Sequence, residues 1–283
     1  RRNRLHAKIS LRKTERRCRF ISSAKGYEWT FDTAVTAYEK FRPGYPKELY
    51  EAIFRYQPVT AASQVMEIGI GAGQATLPFL ETGCRLTAVE FGQNFIRLCR
   101  EKFAGFPRFS VSAGKFEELS FEPESYDLIV SATAFHWIPE ETGYPKVFSL
   151  LKDGGAFARF ANRPLADKGR PKLTEEIQAL YAIYMGKTGS PEEFTEADAA
   201  RLAKKALDYG FSDVQCGLFH RTRTFSAKEY TALLGTYSDH LAIEEKKRNE
   251  FFSEIEHAID RHGGEITIYD TIDLQLARKG TPQ

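Results

Sequence analysis

The chain has 283 residues with 40 Lys+Arg against 38 Asp+Glu, 42% hydrophobic and 28% charged. That is the composition of a globular protein, which excludes wholesale disorder, and the length suits one large α/β domain with or without a cap. The longest apolar run, Ala179 to Met185, is far short of the roughly 18 to 20 residues of a membrane-spanning helix.

The near-neutral total hides an asymmetry. Residues 1 to 20 hold nine basic side chains and one acid, Glu15, so the remainder carries 31 basic against 37 acidic groups. Such a run reads as an arm for nucleic acid or an anionic surface, or as a targeting segment. The first residue is not Met, and the stretch 1–26 is expected to be a disordered tail irrelevant to the chemistry. The mildly acidic body gives no electrostatic reason to expect nucleic acid. Cys18, Cys84, Cys99 and Cys216 show neither CxxC spacing nor a neighbouring His cluster. No metal site or disulfide framework is expected, and reduced thiols fit a cytoplasmic protein.

Regular patterning starts after Phe31 with a short helix, a turn at Arg42-Pro43-Gly44-Tyr45-Pro46 and a helix from Lys47. Strands are predicted at 65–70, 85–91, 109–112, 126–132 and 156–160, the last announced by Asp153-Gly154-Gly155, with helices from about Gln74, over 94–103 and over 146–151. This alternation predicts βαβ crossovers and a parallel sheet covered on both faces. Residues 27–160 are therefore expected as an α/β core. Helices at 173–185 and 197–209 suggest a helical lid inserted over 161–210. Residues 211–283 return to the sheet, with strands at 214–225 and 266–276 around helices at 230–241 and 244–261.

The strongest motif is Glu67-Ile68-Gly69-Ile70-Gly71-Ala72-Gly73-Gln74, between a predicted strand and helix, where glycines let the backbone turn tightly against a ligand. GxGxxG would need glycine in place of Gln74, and a P-loop would need Gly-Lys-Ser/Thr. Glu90 ends the second strand 19 residues after Gly71, near the spacing at which a carboxylate accepts ribose hydroxyls. Loop, acid and βαβ context together point to a nucleoside cofactor.

At these residues, with Ser131-Ala132-Thr133-Ala134-Phe135-His136-Trp137 and the entry segment Tyr38 to Pro46, the sequence resembles the class I S-adenosylmethionine-dependent methyltransferases. It looks closest to the small-molecule group that includes trans-aconitate methyltransferases. The resemblance implies a doubly wound, mostly parallel seven-stranded sheet, the Rossmann-like methyltransferase fold, with a helical lid. It also implies that Gly69, Gly71 and Gly73 wrap the methionine portion of S-adenosylmethionine, with Glu67 near its ammonium and Glu90 on the ribose. Ser131 to Ala134 would line the cofactor, and Tyr38 or Arg42 would reach its carboxylate. Many members carry an acid after the glycine of Gly114-Lys115-Phe116-Glu117; here Lys115 stands there, which moves the adenine contact to the Phe116 backbone.

Methyl transfer from a sulfonium is an in-line displacement that needs alignment and exclusion of water more than a nucleophile or metal. His136 is placed to polarise or deprotonate an acceptor, to bind a carboxylate, or only to shape the pocket; Trp137 reads as a packing wall. Arg159, near the end of the fifth strand, and Arg163, just past it at the base of the lid, would recognise an anionic acceptor if not consumed in structural ion pairs. The Asp-Pro-Pro-Tyr type motif of nucleic-acid amino methylation is absent. The expectation is methyl transfer to a small molecule, a carboxylic acid being the suggested class, with no membrane partner. The alternatives are a non-catalytic S-adenosylmethionine-binding protein and an RNA methyltransferase using the basic tail.

Overall fold

A computed structural model describes residues 35–189 and 192–280; the expected tail over 1–26, with Cys18, lies outside the described residues. The chain runs α1 (Val35–Phe41), α2 (Lys47–Tyr56), β1 (Gln64–Ile68), α3 (Leu77–Leu80), β2 (Arg85–Glu90), α4 (Gln93–Lys102), β3 (Phe109–Ala113) and β4 (Tyr126–Ala132). It continues through α5 (Glu140–Leu150), β5 (Leu151–Leu165), α6 (Pro171–Met185), α7 (Glu196–Ala203), β6 (Phe211–Ser226), α8 (Ala227–Leu234), α9 (Ser238–Leu241), α10 (Glu245–Arg261) and β7 (Glu265–Lys279).

The strands form a seven-stranded sheet in the order β3-β2-β1-β4-β5-β7-β6. The pairs from β3 to β5 are parallel, and β7 lies antiparallel between β5 and β6. The inner strands are apolar on both faces, as a sheet covered on both sides requires. In β4, Leu128 and Val130 join the core with Leu49, Ile53 and Phe79, whereas Ile129 joins the opposite core with Met66, Ile68 and Phe157. Strand order reverses between β1 and β4, so their carboxyl ends open the crevice in which such sheets take ligands.

The lid expectation divides in space. α6 and α10 pack together and against α8 around Leu173, Ile177, Leu233, Phe251 and Ile255, a third core above the extended β6–β7 ribbon. α7 instead lies along β6 and β7. The helical cap is therefore built from chain on both sides of β6. A left-handed Gly186 (φ 65°) stops α6, and a Ser226–Glu229 capping box starts α8, fixing where the chain emerges at 235–239.

β5 is longer than the predicted 156–160. It begins at Leu151, the Asp153-Gly154-Gly155 turn becomes an irregularity within it where register shifts between Tyr126 and Leu128, and it continues through Asn162 and Arg163. These polar residues stay in the strand because β7 supplies buried acids to meet them: Asp270 accepts from Asn162 Nδ2 at 3.1 Å and Asp273 from Arg163 Nε at 2.7 Å.

Candidate active site

The loop after β1 turns through three glycines in the left-handed region, Gly69, Gly71 and Gly73. At Gly69 a Cβ would stand 2.5 Å from the Ala134 Cβ, so only glycine lets the loops after β1 and β4 meet. The loop is also tied to β2, since Gly69 N and Ile70 N donate to the Val89 carbonyl at 2.9 and 3.3 Å. Glu90 completes the attachment. Its Oε2 accepts from Gly71 N at 3.0 Å and its Oε1 from Phe91 N and Gly92 N, both at 2.9 Å.

Glu67, the penultimate residue of β1, is 1% exposed. Its Oε2 accepts from Thr76 Oγ1 at 2.8 Å, and its Oε1 has no hydrogen-bond partner among the described residues. Burial pushes its carboxyl up to about 8, with the Thr76 bond opposing and the Glu90 charge adding to the rise.

Across the crevice, Thr133 follows β4 with φ 53°, an uncommon backbone for a β-branched residue. It is held by Tyr45 Oη at 2.8 Å from its Oγ1, which also accepts from Asn162 N at 3.2 Å. A single 3₁₀ turn, Phe135–Trp137, follows; Phe135 is buried in the core and anchors it, which presents His136 and Trp137 to the crevice. Burial, with the charges of Arg159, Arg163 and Arg42 behind it, lowers the His136 imidazole to about 3. It is a neutral ring at physiological pH, a hydrogen-bond partner and a poor proton acceptor.

The entry segment closes the third side. The Arg42 guanidinium lies 5.0 Å from the Tyr38 ring and 4.0 Å from that of Tyr237, and donates from Nε and Nη2 to Thr236 Oγ1 and O, both at 2.9 Å. The α1 segment is thereby latched to the cap. Asp239 reaches the same space. Its own burial favours the neutral acid, but His240 Nδ1 at 2.7 Å and Lys187 Nζ at 2.5 Å outweigh this and hold it ionised.

These elements enclose a cavity of about 230 Å³ lined by Tyr38, Arg42, Glu67, Gly69, Gly71, Glu90, His136 and Trp137 among others. Eight of the expected site residues thus come together. Five do not line the cavity. Gly73 packs against Phe103, where a Cβ would come within 2.5 Å of the ring. Ser131 is buried and donates from Oγ to the Ile68 carbonyl at 3.1 Å. Phe116 is buried beside Met66 and Val89, and its carbonyl already accepts from Lys146 Nζ.

Arg159 and Arg163 are corrected by strand parity. Asn162 and Pro164 face the cavity, so the odd-numbered side chains of β5 point to the other side of the sheet. There Arg159 Nη1 donates to Tyr144 Oη at 3.0 Å, and Arg163 pairs with the fully buried Asp273. They reach His136 only through their field.

Several lining residues carried no sequence assignment: Asn162, Pro164, Gln74, Phe95 and Asp239. The first two were readable, since extending the even-numbered apolar face of Ala158 and Phe160 by one and two steps reaches them. The Asn162 Oδ1 is buried without a partner among the described residues.

A glycine loop and two strand-end carboxylates at the switch point of a 3-2-1-4-5-7-6 sheet define a nucleoside-cofactor enzyme of the Rossmann-like methyltransferase class. Comparison with known proteins carries this further. The methyltransferase domain family model matches residues 65–155. An uncharacterized methyltransferase of Schizosaccharomyces pombe is 26% identical over 222 residues, 77% of this chain and 83% of that protein. An uncharacterized methyltransferase of Bacillus thuringiensis is 30% identical over 156 residues, 52% of this chain and 71% of that one. A structure of a proposed type II methyltransferase from Anaeromyxobacter dehalogenans superposes with TM-score 0.62 at 19% identity, covering 86% of this chain and all of the other. The chain belongs to the class I S-adenosylmethionine-dependent methyltransferases.

The residues present fit S-adenosylmethionine. A buried carboxylate oxygen without a partner suits an ammonium, and a glycine cradle and a strand-end acid stand beside it. Among the described residues no helix is long and apolar enough to cross a membrane.

Proposed function

We propose that this chain methylates a small-molecule acceptor and that a carboxylic acid is the class its site favours. When bound, the cofactor supplies an electrophilic methyl group on a sulfonium. Gly69 and Gly71 cradle its methionine portion, Glu67 meets its ammonium, Glu90 its ribose, and Tyr38 and Arg42 lie on the side of its carboxylate. His136, Trp137 and Asn162 line the opposite wall, where an acceptor would lie.

The observation that carries the acceptor class is the state of His136. An amine or alcohol nucleophile must lose a proton, and an imidazole lowered to about 3 is a poor base for that. A carboxylate is already deprotonated at neutral pH and needs only alignment and hydrogen bonding. Of the guanidinium charges that add to burial in depressing His136, that of Arg42 lines the cavity and favours an anion there. The resemblance to trans-aconitate-type enzymes points the same way.

Product S-adenosylhomocysteine is to be measured with a panel of small carboxylic acids beside size-matched amines and alcohols. Turnover is expected with acids. It should fall in His136→Ala and show raised KM in Arg159→Ala and Arg163→Ala through the weakened field. Methylation confined to amines or alcohols would overturn the assignment.

A further inference from the structure

We infer that Glu67 carries a proton in the free protein and releases it to solvent when the cofactor's ammonium arrives, so that cofactor binding exchanges one positive charge for another. The inference rests on the cofactor reading of the cavity and concerns how the loop side selects its ligand.

The geometry begins with a carboxyl group 1% exposed that receives a single hydrogen bond, from the Thr76 hydroxyl, on one oxygen. Its other oxygen lies buried and unpartnered, and the residue lines the cavity. A buried carboxylate persists as an anion only with a cation or several donors around it. Among the described residues no lysine or arginine bonds to it. Glu90 from β2 adds its negative charge, Tyr45 from the entry segment, Tyr50 from α2 and Cys99 from α4 are kept protonated by burial and supply no cation, and Arg42, across the same cavity, is bonded to Thr236. A negative charge here is therefore opposed by burial and by the Glu90 charge, and the protonated form relieves it. Burial accordingly lifts the group to about 8, which leaves it protonated at neutral pH.

Glu90 differs although it lies in the same cavity. Three backbone N–H groups converge on its two oxygens, the environment of a carboxylate. The two acids thus divide the work. Glu90 is a fixed anion that shapes the loop, and Glu67 is a neutral group that becomes an anion when an ammonium can pair with its free oxygen. In the exchange the Glu67 O–H bond breaks, its proton leaves to buffer, and the new carboxylate accepts from the incoming N–H. His136, already neutral, has no proton to contribute.

The consequence is selectivity by charge. A nucleoside without the amino-acid head pairs with nothing at Glu67 and leaves its proton in place, whereas a ligand with the ammonium gains a buried ion pair.

The test is calorimetric titration of the full chain with S-adenosylhomocysteine at pH 7 in buffers of different ionisation enthalpy. With the group near 8, the slope of observed against buffer enthalpy should correspond to release of about nine-tenths of a proton. Affinity should rise about tenfold from pH 6 to pH 7 and flatten above about 8. In Glu67→Gln the slope should vanish and the affinity become flat over that range. With 5′-methylthioadenosine, the same nucleoside lacking the head, the wild-type slope should be near zero. Infrared difference spectra of the wild-type protein supply a readout free of any folding defect in the variant, since the protonated carboxyl stretch should disappear on binding. Binding without buffer dependence, or proton release that persists in Glu67→Gln, would overturn the exchange and leave the cofactor site standing. Absence of S-adenosylhomocysteine binding at every pH would overturn the site assignment itself.

Discussion

The two sides of the cavity are built on different principles. On the loop side, atoms that face the ligand are presented by residues close in sequence, 67 to 76 and 90 to 92, and the anchoring is chiefly backbone amide to carboxylate. On the cap side, the lining comes from residues 42, 133, 134, 136, 137, 162 and 237 to 239, which are distant in sequence. There the charges serve the protein before they serve any ligand. Arg163 is taken by Asp273, Arg221 and Arg223 by Asp270, Arg42 by Thr236, and Asp239 by Lys187 and His240. A local motif can create a ligand site with little help, whereas a wall assembled from remote residues must first hold itself together.

The sharpest break of this contrast is Asp270→Ala. Asp270 is 1% exposed and meets Arg221, Arg223 and Asn162, so its removal leaves two part-buried guanidinium groups without their acid. Loss of about 3 to 5 kcal/mol is expected in urea denaturation, as for other broken buried pairs. On the loop side Glu90→Ala should cost less stability and more binding. The three amides lose their acceptor and the ribose its partner, and S-adenosylhomocysteine affinity should fall by about 100-fold, on the order of 3 kcal/mol, in calorimetry.

A smaller effect is expected for Arg42→Lys. A lysine keeps the charge but has neither the fork that bonds Thr236 twice nor the plane that lies between Tyr38 and Tyr237. Affinity should drop by roughly 3- to 10-fold as the α1 latch loosens, or about 1 kcal/mol. A further effect, read in stability and not in binding, concerns the free protein. Since the folded-state Glu67 value is raised from 4.5 to about 8, the unfolded chain sheds this proton first as pH rises, and stability drains away between about pH 4.5 and 8. Glu67→Gln removes that drain, so its melting temperature should gain on the parent steadily from pH 5 to pH 8, by the equivalent of about 3 kcal/mol. A constant gap would contradict the protonated state.

How far the sequence could be read follows the same division. The predicted 126–132 strand matches β4 residue for residue, and the glycine loop, Glu90, His136 and Trp137 all reach the cavity, because each depends on short-range pattern. The helix expected from about Gln74 shrinks to Leu77–Leu80, since the preceding turn is consumed in loop contacts with β2 and Tyr38. The predicted strand at 156–160 stops short of Leu165 because Asn162 and Arg163 look like a strand's end until Asp270 and Asp273, more than a hundred residues away, stand beside them. The same truncation hid the parity that turns Arg159 and Arg163 away and brings Asn162 in. Nothing local marks Asp239 as a lining residue, since it depends on how α8 and α10 dock.

The crystal structure of the S-adenosylhomocysteine complex tests the central claim most directly. The account predicts the ligand at the carboxyl ends of β1 and β4, its ammonium within hydrogen-bond distance of Glu67 Oε1, its ribose hydroxyls on Glu90, and its sulfur facing the His136 and Trp137 wall. Ligand bound outside this cavity, or bound within it with the amino-acid head away from Glu67, would contradict it.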